Sequence, residues 1–213
     1  MNKKSSTGTC ELCGKVFGKA AMTRHLTTCG ETSPTAKPSL HLFVEGRDAK
    51  KYWMHLAVPA TTPLERLDAF LRNIWLECCG HLSAFNIAGS SYNSLPDVGE
   101  TGMRAPVGKL LEPGMAFTYE YDFGSTTELN LKVMGLRGQR AKGNTVELLA
   151  RNDAPQIVCE RCGGLAATRV CPQCMYQGDG WICEACAAEH ECGEDYLLPA
   201  VNSPRVGVCA YGS

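Results

Sequence analysis

The 213-residue sequence has no apolar run near the ~18 residues of a membrane-spanning helix, and neither charge sign is in excess. Lys and Arg number 21 and Asp and Glu 22, a net charge of −1. That balance excludes a strongly basic nucleic-acid coat protein and an acidic disordered tail. Lys3 and Lys4 have no apolar stretch behind them, so no signal peptide is expected. The glycines and basic residues between Gly135 and Gly143 lack the spacing of a phosphate-binding loop. What the sequence does have is 13 cysteines. An odd count, repeated Cys-x-x-Cys spacing and no export signal point to metal ligands in a reducing, cytoplasmic setting rather than to disulfides. Zinc is the expected metal.

Charge divides the chain into three segments. Residues 1–38 hold six basic and two acidic groups, a net of +4; residues 39–150 are at −1, and residues 151–213 at −4. The Ser33-Pro34-Thr35-Ala36-Lys37-Pro38 stretch reads as a linker, and Asn152-Asp153-Ala154-Pro155 as a second break. The expected organisation is a zinc finger at 1–31, a linker at 32–38, a middle domain at 39–150 and a Cys-rich two-zinc domain at 151–213.

In the first segment, Cys10-x2-Cys13 is followed after eleven residues by His25-x3-Cys29, the ligand spacing of a small ββα finger. Four residues apart on a helix, His25 and Cys29 share a face. Phe17 and Met22 occupy the two minimal core positions. The pattern resembles the two-Cys, two-His finger with its last His replaced by Cys. Helix positions −1, 3 and 6 would fall on Gly18, Ala21 and Arg24, so only Arg24 offers a donor to a base edge. Sequence-specific DNA reading is not expected; weak, non-specific phosphate contact through Lys15, Lys19 and Arg24 competes evenly with a solvated face.

In the middle segment, the β-forming runs 40–44 and 52–58 read as a hairpin. Thr62-Pro63-Leu64-Glu65 reads as a capped helix start, with Leu64, Leu67, Leu71, Ile74, Trp75 and Cys78 at helical spacing and Gly80 as the stop. Further strands are expected at 82–88, 115–122, 127–135 and 144–150. The fold class is therefore α+β, an antiparallel sheet with a covering helix, plus the small ββα finger and the two-zinc module. A Cys78–His81 pair is the minimum for a thiol nucleophile, but Cys78 reads as part of the apolar stripe and His81 as structural. Asp122 reads as a turn cap binding backbone N–H groups.

The stretches Cys79-Gly80-His81-Leu82-Ser83-x-Phe85 and Tyr119-Glu120-Tyr121-Asp122-Phe123-Gly124 resemble the plasmid pRiA4b ORF-3-like family, a transposon passenger-type domain, over roughly 39–150. The resemblance implies a β-hairpin, a leucine-rich helix and two motif-bearing strands. Members usually continue the second motif as Asp-x-Trp-x-His, where this sequence has Ser125, Thr127 and Leu129. A carboxylate and an imidazole are thus both missing from any site built there.

The last segment runs Cys159-x2-Cys162-x8-Cys171-x2-Cys174-x8-Cys183-x2-Cys186-x3-His190-x-Cys192. Each Cys-x-x-Cys presents two thiolates to one tetrahedral metal, and eight ligands make two sites. The run resembles B-box-type cross-braced fingers, which implies one site from Cys159, Cys162, Cys183 and Cys186. The other would be Cys171, Cys174, His190 and one more Cys. Sequential pairing is the alternative. Cys192 and Cys209 compete for the eighth place: Cys192 is close to His190 but separated by a single residue, whereas Cys209 would have to return from the tail.

Three zinc ions are expected, each with four protein ligands. Counting thiolates, the C-terminal segment moves to about −7 and the first segment to about +3. The functional expectation is a cytoplasmic, non-enzymatic zinc protein acting as an adaptor with a protein partner and no membrane association. A nucleic-acid-binding accessory protein of a mobile element is the second expectation, and an enzyme using Cys78 and His81 or Asp122 the third.

Overall fold

The computed structural model describes residues 6–30, 37–140 and 142–212. Apart from Lys37 and Pro38, the expected 32–38 linker lies outside the described residues. The chain divides into two compact units, one of residues 1–73 with 81–153 and the other of residues 74–80 with 154–213.

The first unit is built on one nine-stranded antiparallel sheet. Its elements are β1 (Thr7–Cys10), β2 (Val16–Gly18), α1 (Lys19–His25), β3 (Pro38–Gly46), β4 (Trp53–Pro59), α2 (Leu64–Leu71), β5 (Ser83–Ile87), β6 (Ser90–Asn93), β7 (Ala116–Tyr121), β8 (Thr127–Gly138) and β9 (Glu147–Asn152). The strand order is β2-β1-β9-β4-β3-β8-β7-β5-β6. The expected ββα finger is present as β1, β2 and α1, but no boundary separates it from the middle segment. β1 pairs with β9, Cys10 opposite Ala150, so the finger's strands form one edge of the main sheet.

β4 is buried at all seven positions, because both faces of the sheet are covered there. Trp53 and Ala57 pack with Met22 and Leu26 of the finger in one apolar cluster. On the same face, Thr23 Oγ1 of α1 is 3.3 Å from His55 Nε2. Elsewhere, α2 lies over β5 and β7: its Asp68 accepts hydrogen bonds from Ser83 Oγ (2.6 Å) and Tyr119 OH (2.7 Å). The β5–β6 hairpin turns on Ala88 and Gly89, both at positive φ (48° and 81°), the two-residue geometry whose twist matches the strands.

The start of α2 differs from the capped start expected. Pro63, not Thr62, flanks the helix, and no side chain caps it. The amides of Leu64 and Glu65 donate instead to the carbonyls of Ala105 and Met103, so a distant loop does the work of the capping box. The helix is also shorter than expected. Its α-helical part ends at Leu71, a π-helical turn follows over Arg72–Leu76, and Cys78 lies beyond both.

The second unit carries β10 (Arg169–Val170), β11 (Trp181–Ile182), α3 (Glu184–Ala187) and β12 (Leu198–Pro199), with the three short strands ordered β11-β10-β12. Its apolar centre is small: Cys171, Ile182, Ala187 and Leu197, flanked by Cys174, Cys186 and Cys192. A core this small gains most from cross-links, and the Cys/His groups around it could hold metal ions that would supply them. No helix among the described residues is long and apolar enough to cross a membrane.

Candidate metal centres

In the finger, Cys10 ends β1, Cys13 sits in the β1–β2 turn, His25 ends α1 and Cys29 follows one turn later. The Cys10 carbonyl accepts the Gly14 amide at 2.8 Å, and Gly14 takes the left-handed φ of +72° that lets the turn close. This folds both thiols toward His25. The four donor atoms lie within 4.8 Å of one another, with Cys10 and Cys29 Sγ 3.9 Å apart and Cys13 Sγ 3.2 Å from His25 Nε2. A tetrahedral zinc with sulfur bonds of about 2.3 Å would set its sulfurs about 3.8 Å apart, so the donor set fits. The Phe17 ring stacks on His25 at 4.4 Å and fixes its orientation. Arg137 of β8 donates to the carbonyls of Leu26 and Cys29, the latter at 2.7 Å, closing the end of the finger onto the sheet. Burial and the neighbouring Cys13 and Cys10 thiols push the Cys29 thiol up to about 11. Thiols this close ionise together only when a cation joins them.

In the second unit the first and third Cys-x-x-Cys pairs come together. Cys159, Cys162, Cys183 and Cys186 form one group, with Cys162 and Cys183 Sγ 3.8 Å apart. Cys171, Cys174, His190 and Cys192 form the other, with Cys174 and Cys192 Sγ 3.6 Å apart. The donors are gathered in the cross-braced order, and Cys192 rather than Cys209 lies with the second group. His190 is buried and its Nε2 makes no hydrogen bond, the condition of a ring nitrogen suited to a metal. Burial opposes ionisation of Cys159, but the amides of Cys162, Cys183 and Arg161 outweigh it and bring the thiol down to about 6. Cys186 is driven the other way, to about 12, chiefly by the neighbouring Cys183 thiol. A dication removes that conflict.

Close packing holds the two sites in register. At Gly180 a Cβ would lie 2.2 Å from the Met175 amide nitrogen, so no larger residue fits there. The Gly180 and Trp181 amides both donate to Glu160 Oε2, at 2.7 and 2.9 Å, tying β11 to the first knuckle.

Cys209 joins neither set; its Sγ is 3.5 Å from Cys79 Sγ. Sequence reasoning did not connect these two cysteines, although three donors in four residues, Cys78-Cys79-x-His81, was a signal available to it.

The other candidate groups are engaged in structure. Asp122, at a φ of 66°, accepts the amides of Gly124 (3.0 Å) and Ser125 (3.2 Å), the turn-capping role expected of it. His81 Nδ1 is 3.6 Å from Asp122 Oδ1, and its ring stands edge-on to Tyr121. Asp68 is held by Ser83, Tyr119 and an ion pair to Arg72 Nε at 2.8 Å. In the finger, Lys19 Nζ is committed to Glu45 at 2.8 Å and to the Lys50 carbonyl, while Arg24 is exposed.

No family model and no curated protein matches the chain. Among solved structures, it is similar to a protein of unknown function from Methanosarcina mazei Go1, at a TM-score of 0.47 and 14% identity. The match covers 54% of this chain and 68% of that one.

Proposed function

We propose that this chain is a non-enzymatic zinc-binding adaptor, holding one zinc in its finger and two in its C-terminal module, and working on a protein partner in the cytoplasm. The observation that carries the reading is that the twelve expected donors of the finger and the C-terminal module fall into sets of four, one in the finger and two in the module. A zinc bound by four protein donors keeps no position for water or substrate, so it braces structure rather than performs chemistry. The engagement of Asp68 and Asp122 in structural hydrogen bonds supports the same reading. The 13 cysteines, none in a disulfide, suit a reducing compartment.

Charge supports a protein partner over nucleic acid. Two zinc–thiolate centres leave the C-terminal segment at about −7, which repels phosphate. In the finger, Lys19 is neutralised by Glu45, and Gly18 and Ala21 offer no side-chain donor at the base-reading positions. The resemblance to the pRiA4b ORF-3-like family supports the second reading, an accessory protein of a mobile element, for which exposed Arg24 and Lys15 supply the only finger contacts we assign.

Binding of the zinc-loaded full chain to duplex DNA and single-stranded RNA, measured as salt is raised, separates the two. The adaptor reading expects at most weak binding that is indifferent to sequence. Tight binding that falls steeply with salt, and falls further in Arg24→Ala, would replace it with the mobile-element reading.

A further inference from the structure

We propose that Cys78, Cys79 and Cys209 are the thiolate donors of a fourth zinc site that clasps the C-terminal tail to residues 74–80. It goes beyond the three sites above and does not depend on their occupancy.

The three Sγ atoms lie within 4.8 Å of one another, although Cys209 is 130 residues from Cys79. Their closest pair, at 3.5 Å, is far longer than a disulfide bond of about 2.05 Å and close to the ~3.8 Å that two sulfurs on one tetrahedral zinc would have. Sulfurs gathered this way from the two ends of a unit are not a by-product of local chain geometry. Ser203 Oγ donates to the Trp75 carbonyl at 2.6 Å, and the Ser203–Arg205 turn is fixed by the Arg205 amide on the same hydroxyl at 2.9 Å. That anchor carries the tail past Cys78 and delivers Cys209.

A second observation concerns charge. Arg205 is fully buried, and its Nη2 lies 3.5 Å from Cys78 Sγ. Three thiolates and Zn²⁺ carry a net charge of −1, opposite in sign to the guanidinium that lies against Cys78, so the metal-bound form is favoured beside it.

The test is the zinc count of the full chain by native mass spectrometry, in the wild type and in Cys209→Ser and Cys79→Ser. The expected result is that each substitution removes one zinc relative to the wild type and leaves the other ions in place. As a second readout, cobalt substituted for zinc should show one fewer thiolate-bound tetrahedral centre in Cys209→Ser. A count unchanged by Cys209→Ser overturns the proposal. So does a wild-type mass 2 Da lower under non-reducing conditions, which would mean a Cys79–Cys209 disulfide in place of a metal. A fully loaded wild type with three ions would remove this site and leave the adaptor reading standing. Loss of several ions in Cys209→Ser with wild-type circular dichroism would also overturn it, because the cysteine would then serve more than one centre.

Discussion

Cys10 and Ala150 sit opposite each other across β1 and β9, and Cys10 is at once a fully buried member of the apolar core and one of the finger's four gathered Cys/His donors. The finger is therefore an edge of the sheet, and a metal held by its donors would fix the last two strands. Its core residues Met22 and Leu26 share a cluster with Trp53, Leu149 and Ala150. Metal binding would be coupled to sheet stability through that cluster.

Stripping zinc from the finger should thus loosen β9 and expose Trp53. In Cys13→Ser, whose substituted side chain is exposed, we expect faster amide exchange along Glu147–Asn152 and a red shift of Trp53 emission, assigned with Trp53→Phe. Unchanged exchange in β9 would show that the finger and sheet fold separately.

Pairing in the C-terminal module can be read by thiol alkylation. In Cys159→Ser, Cys162, Cys183 and Cys186 should become reactive while Cys171, Cys174 and Cys192 stay protected. Reactivity of Cys171 and Cys174 in place of Cys183 and Cys186 would indicate sequential pairing.

The knuckles were legible in the sequence because their ligand spacing is local: two residues between thiols fix a turn wherever the rest of the chain goes. Most of the sheet was legible for a similar reason, since alternation and turn residues mark β3, β4, β5, β7 and β8 one at a time. What could not be read is what depends on distant partners. Nothing near Cys10 announces that Ala150 will pair with it, and nothing near Thr62 says that the carbonyls of Met103 and Ala105 will take the amides its hydroxyl was expected to cap. β4 hid its two-sided burial, because only the finger's placement covers its second face. Cys209 fell between the two cases: its destination was distant, but the donors waiting there were adjacent in sequence.

Asp68 joins α2 to β5 and β7 through Arg72, Ser83 and Tyr119. Asp68→Ala removes the acceptor of the Ser83 and Tyr119 hydroxyls and the ion-pair partner of half-buried Arg72, and should cost about 3 kcal/mol in denaturant unfolding. Tyr119→Phe should cost about 1 kcal/mol. A loss of under about 1 kcal/mol for Asp68→Ala would show that the carboxylate does not hold the helix in place.

His41 and His55 are buried, 3.0 Å apart, with Thr23, Phe43 and Trp53 around His55. Burial lowers their pKa values to about 4 and about 3, with the Arg137 cation adding to the effect on both and His41 to that on His55. Above the unfolded value of 6.5 both states are neutral and the pair contributes nothing to the pH dependence. As the pH falls below 6.5, the unfolded chain takes up protons that the folded chain refuses, so stability drops until the folded values are reached. Each histidine adds a slope of up to about 1.4 kcal/mol per pH unit in that window. Unfolding of the wild type and of His41→Gln/His55→Gln, followed across the window, should show a shallower decline in the variant. Equal slopes would mean that acid stability is governed elsewhere, by the zinc thiolates.

Zinc-edge X-ray absorption of the fully loaded chain tests the central claim most directly, that these metals are closed structural centres. The account predicts a first shell of four atoms, at least three of them sulfur at about 2.3 Å on average, the remainder nitrogen at about 2.0 Å, and no water oxygen. A shell with fewer than three sulfurs per zinc, or one that includes a bound water, would contradict it and reopen the case for chemistry at the metal.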